Sequence, residues 1–290
     1  GAGNNYYKEI LVDSSYVYLA GYSSAPGNDQ WHIEKRDKTT GALVTAFSGD
    51  GIYLSNPSGG VDDLQGAAID SSAIYAVGED SSPGGYDNQW RIEKIDITTG
   101  ALVTAFDGDG IITSDLSTTS YADSSLGIKV DSSYIYIAGE DGVGGDRQWR
   151  IEKRDKNTGA LVTAFGSNGV VQSDPAGDPD DEKAYDIAID SSYIYVVGFD
   201  GGSGRDWRVE KRDITTGALV TAFDGDGIIQ SDTGGGNNYA WNIVIDSSYI
   251  YVTGNAGSTG WRVEKRDITT GALVTAFSGD GIYESDPSGG

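Results

Sequence analysis

The sequence predicts an all-β protein built from five copies of one unit, and three observations support this prediction. The string GALVTAF recurs unchanged at Gly41, Gly100, Gly159, Gly217 and Gly271. A tryptophan precedes each copy by ten residues, and an Asp-Ser-Ser segment precedes each tryptophan. Within each unit the apolar residues alternate with a period of two, which indicates strands rather than helices.

The repeats account for the whole chain. Boundaries set twelve residues before each Asp-Ser-Ser segment give the repeats 1–57, 58–118, 119–177, 178–233 and 234–290. Because the units follow one another without an unrelated segment, we expect a single domain over 1–290.

Each repeat is predicted to contain four strands. The first precedes the Asp-Ser-Ser turn, as in 185–189. The second follows the turn and is rich in Tyr, Ile and Val. The third begins at the tryptophan and alternates as Trp-Arg-Val-Glu-Lys-Arg. For the fourth strand the sequence leaves two segments open, Ala-Leu-Val-Thr-Ala-Phe and the Gly-Ile-Ile-Gln-Ser type of segment that follows it.

Four antiparallel strands repeated five times predict a five-bladed β-propeller. The chain ends in SDPSGG and begins with GAGNNYYKEILVD, and the two ends together match the linker SDTGGGNNYAWNIVID between the last two repeats. An open solenoid requires atypical polar repeats at its ends, and the first and last repeats are not of that kind. We therefore expect a ring that is closed between the N- and C-termini.

The pattern T-G-x-L-x-x-x-F-x-x-x-G-[IV] follows, in each repeat, a strand that ends at a glycine, as in Ile-Ala-Gly or Val-Val-Gly. This arrangement resembles the delta-60 repeat, a propeller-forming unit of bacterial surface and secreted proteins. The resemblance covers all five repeats. It implies a propeller fold and no shared catalytic residues.

Composition restricts the partners of the protein. The chain has 20 Lys and Arg against 44 Asp and Glu, a formal net charge of −24, which repels nucleic acid and anionic membranes. No apolar stretch approaches the roughly 20 residues of a membrane span, so we expect no membrane insertion. Cysteine and methionine are both absent. We therefore expect Gly1 to be the end left by removal of a secretory signal, and the protein to be extracellular or on the cell surface.

The loops that differ between repeats give the predicted partner surface. The loop after the second strand and the linker before the first strand vary in length, and both are expected on one face of the propeller. The Asp-Ser-Ser and Thr-Thr-Gly turns are nearly constant and are expected on the other face. Because function is often carried by variable loops on a rigid scaffold, we assign this role to the aromatic residues Tyr22, Tyr86, Tyr121, Phe199 and Trp241.

An acidic cluster in the segment that begins the fourth repeat is a candidate metal site. Asp178, Asp180, Asp181 and Glu182 offer the oxygen ligands that calcium prefers, although the EF-hand spacing is absent. Calcium is thus the one cofactor left open, and a solvated acidic loop is the alternative.

The remaining repeated side chains are predicted to be structural. The five tryptophans are expected in the core. The alternating arginine and glutamate residues of the third strands, such as Arg150, Glu152 and Arg154, are expected to form ion pairs. The only histidine, His32, stands where the other repeats have arginine, which indicates a variant of that series rather than a general base. Glu9 and Asp186 stand at equivalent places on first strands, so a carboxylate-dependent glycosidase is a remote alternative.

These features together predict a secreted, non-enzymatic propeller. Its expected role is that of a self-assembling structural subunit of an extracellular filament, sheath or surface layer, and therefore a homo-oligomer or polymer. A lectin-like or adhesive module with a carbohydrate partner is the alternative.

Overall fold

The computed structural model describes residues 5–24, 27–82, 88–115, 123–142, 147–174, 181–201, 205–231, 236–257 and 260–286. These residues form five antiparallel four-stranded sheets and contain no helix. The all-β class and the five repeated sheets are confirmed. Closure of the sheets into a ring is not shown.

Within every sheet the four strands are consecutive along the chain and lie side by side in chain order. The first sheet contains β1 (Asn5–Val12), β2 (Tyr16–Ser23), β3 (Gln30–Asp37) and β4 (Ile52–Ser55). The second contains β5 (Leu64–Ile69), β6 (Ala73–Asp80), β7 (Gln89–Asp96) and β8 (Ile111–Ser114). The third contains β9 (Ser124–Val130), β10 (Tyr134–Asp141), β11 (Gln148–Asp155) and β12 (Val170–Ser173). The fourth contains β13 (Lys183–Ile189), β14 (Tyr193–Asp200), β15 (Asp206–Asp213) and β16 (Ile228–Ser231). The last contains β17 (Tyr239–Ile245), β18 (Tyr249–Ala256), β19 (Gly260–Asp267) and β20 (Ile282–Ser285).

The fourth strand of each sheet is the segment after GALVTAF, which resolves the choice that the sequence left open. In the first sheet Ile52 pairs with Glu34, and Ser55 pairs with Trp31. The GALVTAF segment instead makes one isolated bridge, between Leu43 and Arg36.

The constant Asp-Ser-Ser turns are held by the aspartate itself. Asp190 Oδ1 accepts hydrogen bonds from the backbone N–H of Ser192 at 2.7 Å and of Tyr193 at 2.8 Å. Its Oδ2 accepts a hydrogen bond from the hydroxyl of Tyr195 at 2.8 Å. The other four sheets repeat this arrangement. An Asx-type turn of this kind explains why Asp, Ser and Tyr recur at these positions.

Backbone contacts agree with the predicted grouping of the loops. The N–H of Asn238, before the first strand of the last sheet, donates to the carbonyl of Arg205 in the loop after β14. At the opposite ends of the strands, the N–H of Ile214 donates to the carbonyl of Ser192. In this pair of sheets, the described ends of the two variable segments therefore lie together, and the constant turns lie together at the opposite ends of the strands.

The glycine that ends the second-strand motif is required by a close backbone contact. A β-bulge shifts the β13–β14 register between Ala184 and Asp186. A Cβ added at Gly198 would lie 1.9 Å from the carbonyl oxygen of Lys183. Gly21, Gly78 and Gly254 are equally close to a backbone carbonyl.

Gly198→Ala is therefore expected to destabilise the protein by about 1–3 kcal/mol, because the backbone of β13 must move to accept the methyl group. Gly59→Ala is the matched control, since no atom lies within 4 Å of its added Cβ. Urea unfolding of both variants measures the difference. Equal midpoints would contradict this account of the bulge.

The chain divides into two compact units, and the prediction of a single domain stays a prediction. The first unit comprises Gly1–Ile137, Asp141–Gly145 and Lys153–Leu161, and the second comprises Ala138–Glu140, Asp146–Glu152 and Val162–Gly290. The first unit holds apolar clusters around Trp31 and Trp90. The second holds an apolar cluster around Trp207.

Candidate functional site

A buried ladder of charges runs along each third strand. On β15, Arg212 Nε donates to Glu210 Oε2 at 2.6 Å, and Arg208 donates to Glu210 Oε1. Burial alone would raise the pKa of Glu210, but the charges of Arg208 and Arg212 lower it to about 2. The Arg262–Glu264–Arg266 series repeats this arrangement on β19. These side chains make the structural ion pairs that the sequence predicts.

The same glutamates connect neighbouring sheets through a serine. At the end of three fourth strands, a serine hydroxyl donates to a glutamate Oε1 of the next sheet. The described hydrogen bonds of this kind are Ser55 to Glu93 at 2.6 Å, Ser173 to Glu210 at 2.7 Å and Ser231 to Glu264 at 2.7 Å.

A lysine makes a second contact between neighbouring sheets. The ammonium of Lys211 lies 4.1 Å from the ring centroid of Tyr193 and donates to the carbonyl of Ile268 at 2.6 Å. Lys35 makes the same pair of contacts, with the ring of Tyr16 at 4.1 Å and the carbonyl of Ile97 at 2.7 Å. The repeated lysine therefore has a structural role, which the sequence analysis did not identify.

The third contact is made by two of the repeated tryptophans. Trp149 Nε1 donates to the carbonyl of Phe199 at 3.0 Å, and the guanidinium of Arg208 lies 4.3 Å from the indole ring. Trp207 likewise donates to the carbonyl of Asn255 at 3.0 Å and lies under Arg262. Four tryptophans are 0 % exposed: Trp31, Trp90, Trp149 and Trp207.

The fifth tryptophan differs, because Trp261 is 68 % exposed. The prediction that all five tryptophans lie in the core is wrong for Trp261. Tyr283, Val244 and Thr253 share its face of the last sheet and are also exposed. In each of the other four sheets, the residue at the position equivalent to Tyr283 is buried. We call Val244, Thr253, Trp261, Lys265 and Tyr283 the last-sheet face.

The first sheet also exposes a face whose equivalent is buried in the other sheets. Ile10 is 66 % exposed, and Val12 and Tyr7 are also exposed. At the position of Ile10 the other repeats have apolar residues that are all buried: Ala67, Ile128, Ile187 and Ile243. We call Tyr7, Ile10, Val12, His32 and Glu34 the first-sheet face.

Two residues of the first-sheet face depart from the repeat pattern. The hydroxyl of Tyr7 donates to Glu34 Oε1 at 2.7 Å, where three of the equivalent glutamates accept from a serine. Burial and the hydrogen bond to Glu34 raise the pKa of Tyr7 to about 12. His32 Nε2 lies 3.1 Å from the same oxygen and replaces the repeated arginine. His32 thus belongs to the ladder, as its position in the repeat predicts.

The aromatic residues predicted to form a partner surface differ in how exposed they are in the structure. Tyr22 is half-buried, with its ring centroid 5.3 Å from that of Tyr6. Phe199 is buried rather than exposed on a loop. Trp241 is about half exposed. Tyr86 and Tyr121 lie outside the described residues.

Phe199 and Trp241 belong to one aromatic cluster, which two tyrosines complete. The ring centroid of Tyr239 lies 5.0 Å from that of Phe199 and 5.2 Å from that of Trp241. Tyr185 lies 4.3 Å from Trp241, and the indole of Trp241 donates to Asn255 Oδ1 at 3.1 Å. The sequence signal for Tyr185 was its repeat position, since it is equivalent to Trp241 in the preceding repeat.

The acidic cluster is only partly described. Asp178 and Asp180 lie outside the described residues. Asp181 lies 3.8 Å from the guanidinium of Arg147, and buried Glu182 lies 3.1 Å from that of Arg208. Burial raises the pKa of Glu182, and nearby Asp200 raises it further while Arg208 opposes the shift. Within the described ranges no group of three or more acidic or histidine side chains is placed to hold a metal ion.

Calcium stays a prediction that a melting experiment tests. Because Asp181 and Glu182 each lie beside an arginine, we expect the same Tm with calcium as with chelator and sodium at equal ionic strength. Sodium chloride alone is expected to raise the Tm by screening the net charge of −24. A higher Tm with calcium would contradict this expectation and would identify a structural calcium site.

The carboxylate considered for glycoside hydrolysis has a structural position. Asp186 Oδ1 accepts a hydrogen bond from the N–H of Ile187 at 2.8 Å, and Oδ2 accepts one from the N–H of Ile243 at 3.0 Å. Asp186 therefore connects β13 to β17 at the bulge. Glu9 occupies the equivalent place on β1.

Neither a family model nor a curated protein matches the chain. In the described part of the chain there is no helix of the length and hydropathy needed to cross a membrane.

Proposed function

We propose that the chain is a secreted or cell-surface structural subunit without enzymatic activity, and that it assembles with copies of itself into a filament, sheath or surface layer. One observation carries this proposal. The last-sheet face and the first-sheet face expose side chains at repeat positions that are buried in the other sheets. Contiguous exposed apolar patches of this kind are typical of protein–protein contact sites.

Physical chemistry favours association through these faces. Covering a large apolar side chain stabilises a contact by about 1.5–3 kcal/mol, and each face offers several. The net charge of −24 opposes association at low salt, and added salt screens this repulsion. Assembly is therefore expected to strengthen as the salt concentration rises.

The architecture that we propose for the five sheets is that of propeller blades, as the resemblance to the delta-60 repeat also implies. Closure of the five sheets into a ring is the alternative arrangement, and it would involve the same two faces. In a closed ring, the last-sheet face would pack on the first-sheet face of the same chain, and the protein would be a monomer with a buried Trp261.

Carbohydrate binding is a second candidate function, and the position of Trp241 favours it. A half-exposed indole beside Tyr185, Tyr239 and the amide of Asn255 combines an apolar surface with a polar group, as ligand sites commonly do. Tight binding to a glycan array that is lost in Trp241→Ala would support this function.

Sedimentation tests the main proposal. We expect the wild-type protein to form larger species as its concentration rises, more so in high salt. Trp261→Ala is expected to weaken association at least about 30-fold, as removal of a central interface tryptophan does. Trp241→Ala is the matched control, because its indole is also exposed but contacts Tyr185 and Tyr239. A wild-type monomer at every concentration and salt would overturn the proposal.

A further inference from the structure

We infer that two copies join by the same sheet-to-sheet contact that the chain uses internally, with the last-sheet face of one copy on the first-sheet face of a second copy. This joint rests on the proposed self-assembly and specifies its partner and register. The internal contacts show which chemistry covers each face. Inside the chain, the sheet face that carries Trp149 or Trp207 packs on the arginine- and glutamate-bearing face of the next sheet. The last-sheet face carries the equivalent tryptophan, and the first-sheet face carries the equivalent glutamate.

The last sheet retains all three groups that make the internal contacts. Trp261 is equivalent to Trp207, Lys265 to Lys211 and Ser285 to Ser231, because each occupies the same place in its sheet. The ammonium of Lys265 already lies 3.8 Å from the ring centroid of Tyr249, as Lys211 lies over Tyr193. The donors of an internal contact are thus in place on an exposed face.

The first sheet supplies the matching acceptors. Tyr22 pairs with Trp31 as Asn255 pairs with Trp261, so its carbonyl is the acceptor for the indole of a second copy. Glu34 stands where Glu264 accepts from Ser231, although its Oε1 already accepts from the hydroxyl of Tyr7. The carbonyl of Lys38, which follows β3 as Ile268 follows β19, is the acceptor for Lys265.

His32 and Tyr7, the two residues of the first-sheet face that differ from the repeat pattern, lie within this joint. His32 stands where Arg262 lies over Trp207, so the indole of Trp261 meets an imidazole in place of a guanidinium. The hydroxyl of Tyr7 lies on Glu34 where the serine would donate. Both changes remove a contact that internal sheets make, which leaves the joint between copies weaker than the joints within a chain.

The joint is heterologous, because it uses two different faces. Each added copy presents a new last-sheet face or first-sheet face at its end. Contacts of this kind generate open filaments unless a rotation closes them. The net charge of −24 per copy makes this growth dependent on salt.

Disulfide trapping tests the register, since the chain has no native cysteine. The double variant Glu34→Cys with Ser285→Cys puts the two thiols at the positions that the internal Ser231–Glu264 hydrogen bond joins. Copies grown in ¹⁵N medium are mixed with unlabelled copies, assembled in high salt and oxidised, and the linked peptides are identified by mass spectrometry. We expect peptide pairs that join a heavy Glu34→Cys peptide to a light Ser285→Cys peptide. The control pairs Ser285→Cys with Ser14→Cys, an exposed turn position, and is expected to give few links.

The outcomes separate this joint from self-assembly in general. Links that form only between peptides of the same label would show contact within one chain and overturn the joint. Assembly by sedimentation without any link between these two positions would also overturn it, while leaving self-assembly in place. Absence of assembly would overturn both proposals.

An independent variant tests the role of His32. His32→Arg restores the guanidinium of the internal contacts and is expected to tighten association about fivefold, the effect of one cation–π contact. His32→Gln is the control and is expected to leave association unchanged or weaker. Equal association of the arginine and glutamine variants would contradict the placement of Trp261 over His32.

Discussion

Replacing Trp149 with alanine is expected to lower the free energy of unfolding by about 3–5 kcal/mol, the range for a large aromatic residue removed from a packed core. The indole is fully buried, donates to the carbonyl of Phe199 and lies under the guanidinium of Arg208. The variant leaves a cavity, an unsatisfied carbonyl and an arginine without its ring. Urea unfolding at a concentration where the protein is monomeric measures the loss.

Trp261→Ala is the matched control, since it changes the same repeat position in a sheet where the indole is 68 % exposed. Its cost in the monomer is expected to be below about 1 kcal/mol, as for surface substitutions. If the two variants unfold alike, the difference in burial between these tryptophans is not real.

Replacing Glu210 with glutamine is expected to cost about 3–5 kcal/mol, because it leaves Arg208 and Arg212 as buried cations without their carboxylate. The hydroxyl of Ser173 keeps an acceptor in the amide oxygen. Glu284→Gln is the control. Glu284 pairs with Arg262 at 2.7 Å but is exposed, so its loss is expected to cost less than about 1 kcal/mol.

The cost of Glu210→Gln is expected to depend on pH. The folded pKa of Glu210 is about 2, below the ordinary glutamate value of about 4.3. A lowered pKa contributes stability that is fully present above the ordinary value and is lost as the pH falls towards 2. The difference in unfolding free energy between wild type and variant should therefore be constant from pH 7 to pH 5 and shrink at pH 3. A difference that does not change with pH would contradict the ion-pair assignment.

Much of the fold could be predicted because each repeat carries local sequence signals for its strands and turns. Alternation with a period of two gave the first three strands, and the Asp-Ser-Ser signal located the turns that Asp190 and its equivalents hold. The fourth strand could not be chosen, because GALVTAF and the segment after it are equally rich in apolar residues. In the structure the first of these buries Phe47 through a turn instead of alternating along a strand.

The surfaces were harder to predict than the fold. Trp261 has the same sequence context as Trp207, and an identical residue does not reveal whether another sheet covers it. Phe199 was assigned to a variable loop, but it lies within β14, one residue before its end, and its ring packs against Tyr239. The informative signals were departures from the repeat, such as Thr253 where the other sheets have alanine or valine and His32 where they have arginine.

Electron microscopy of the purified protein across salt concentrations tests the central claim most directly. At high salt and high concentration we expect chains of copies in which one sheet-to-sheet contact recurs at every junction, with Trp261 buried against the first sheet of the next copy. Trp261→Ala should abolish these chains under the same conditions, while Trp241→Ala should preserve them. Isolated single copies at all concentrations and salts, with Trp261 either exposed or buried within its own chain, would contradict the account.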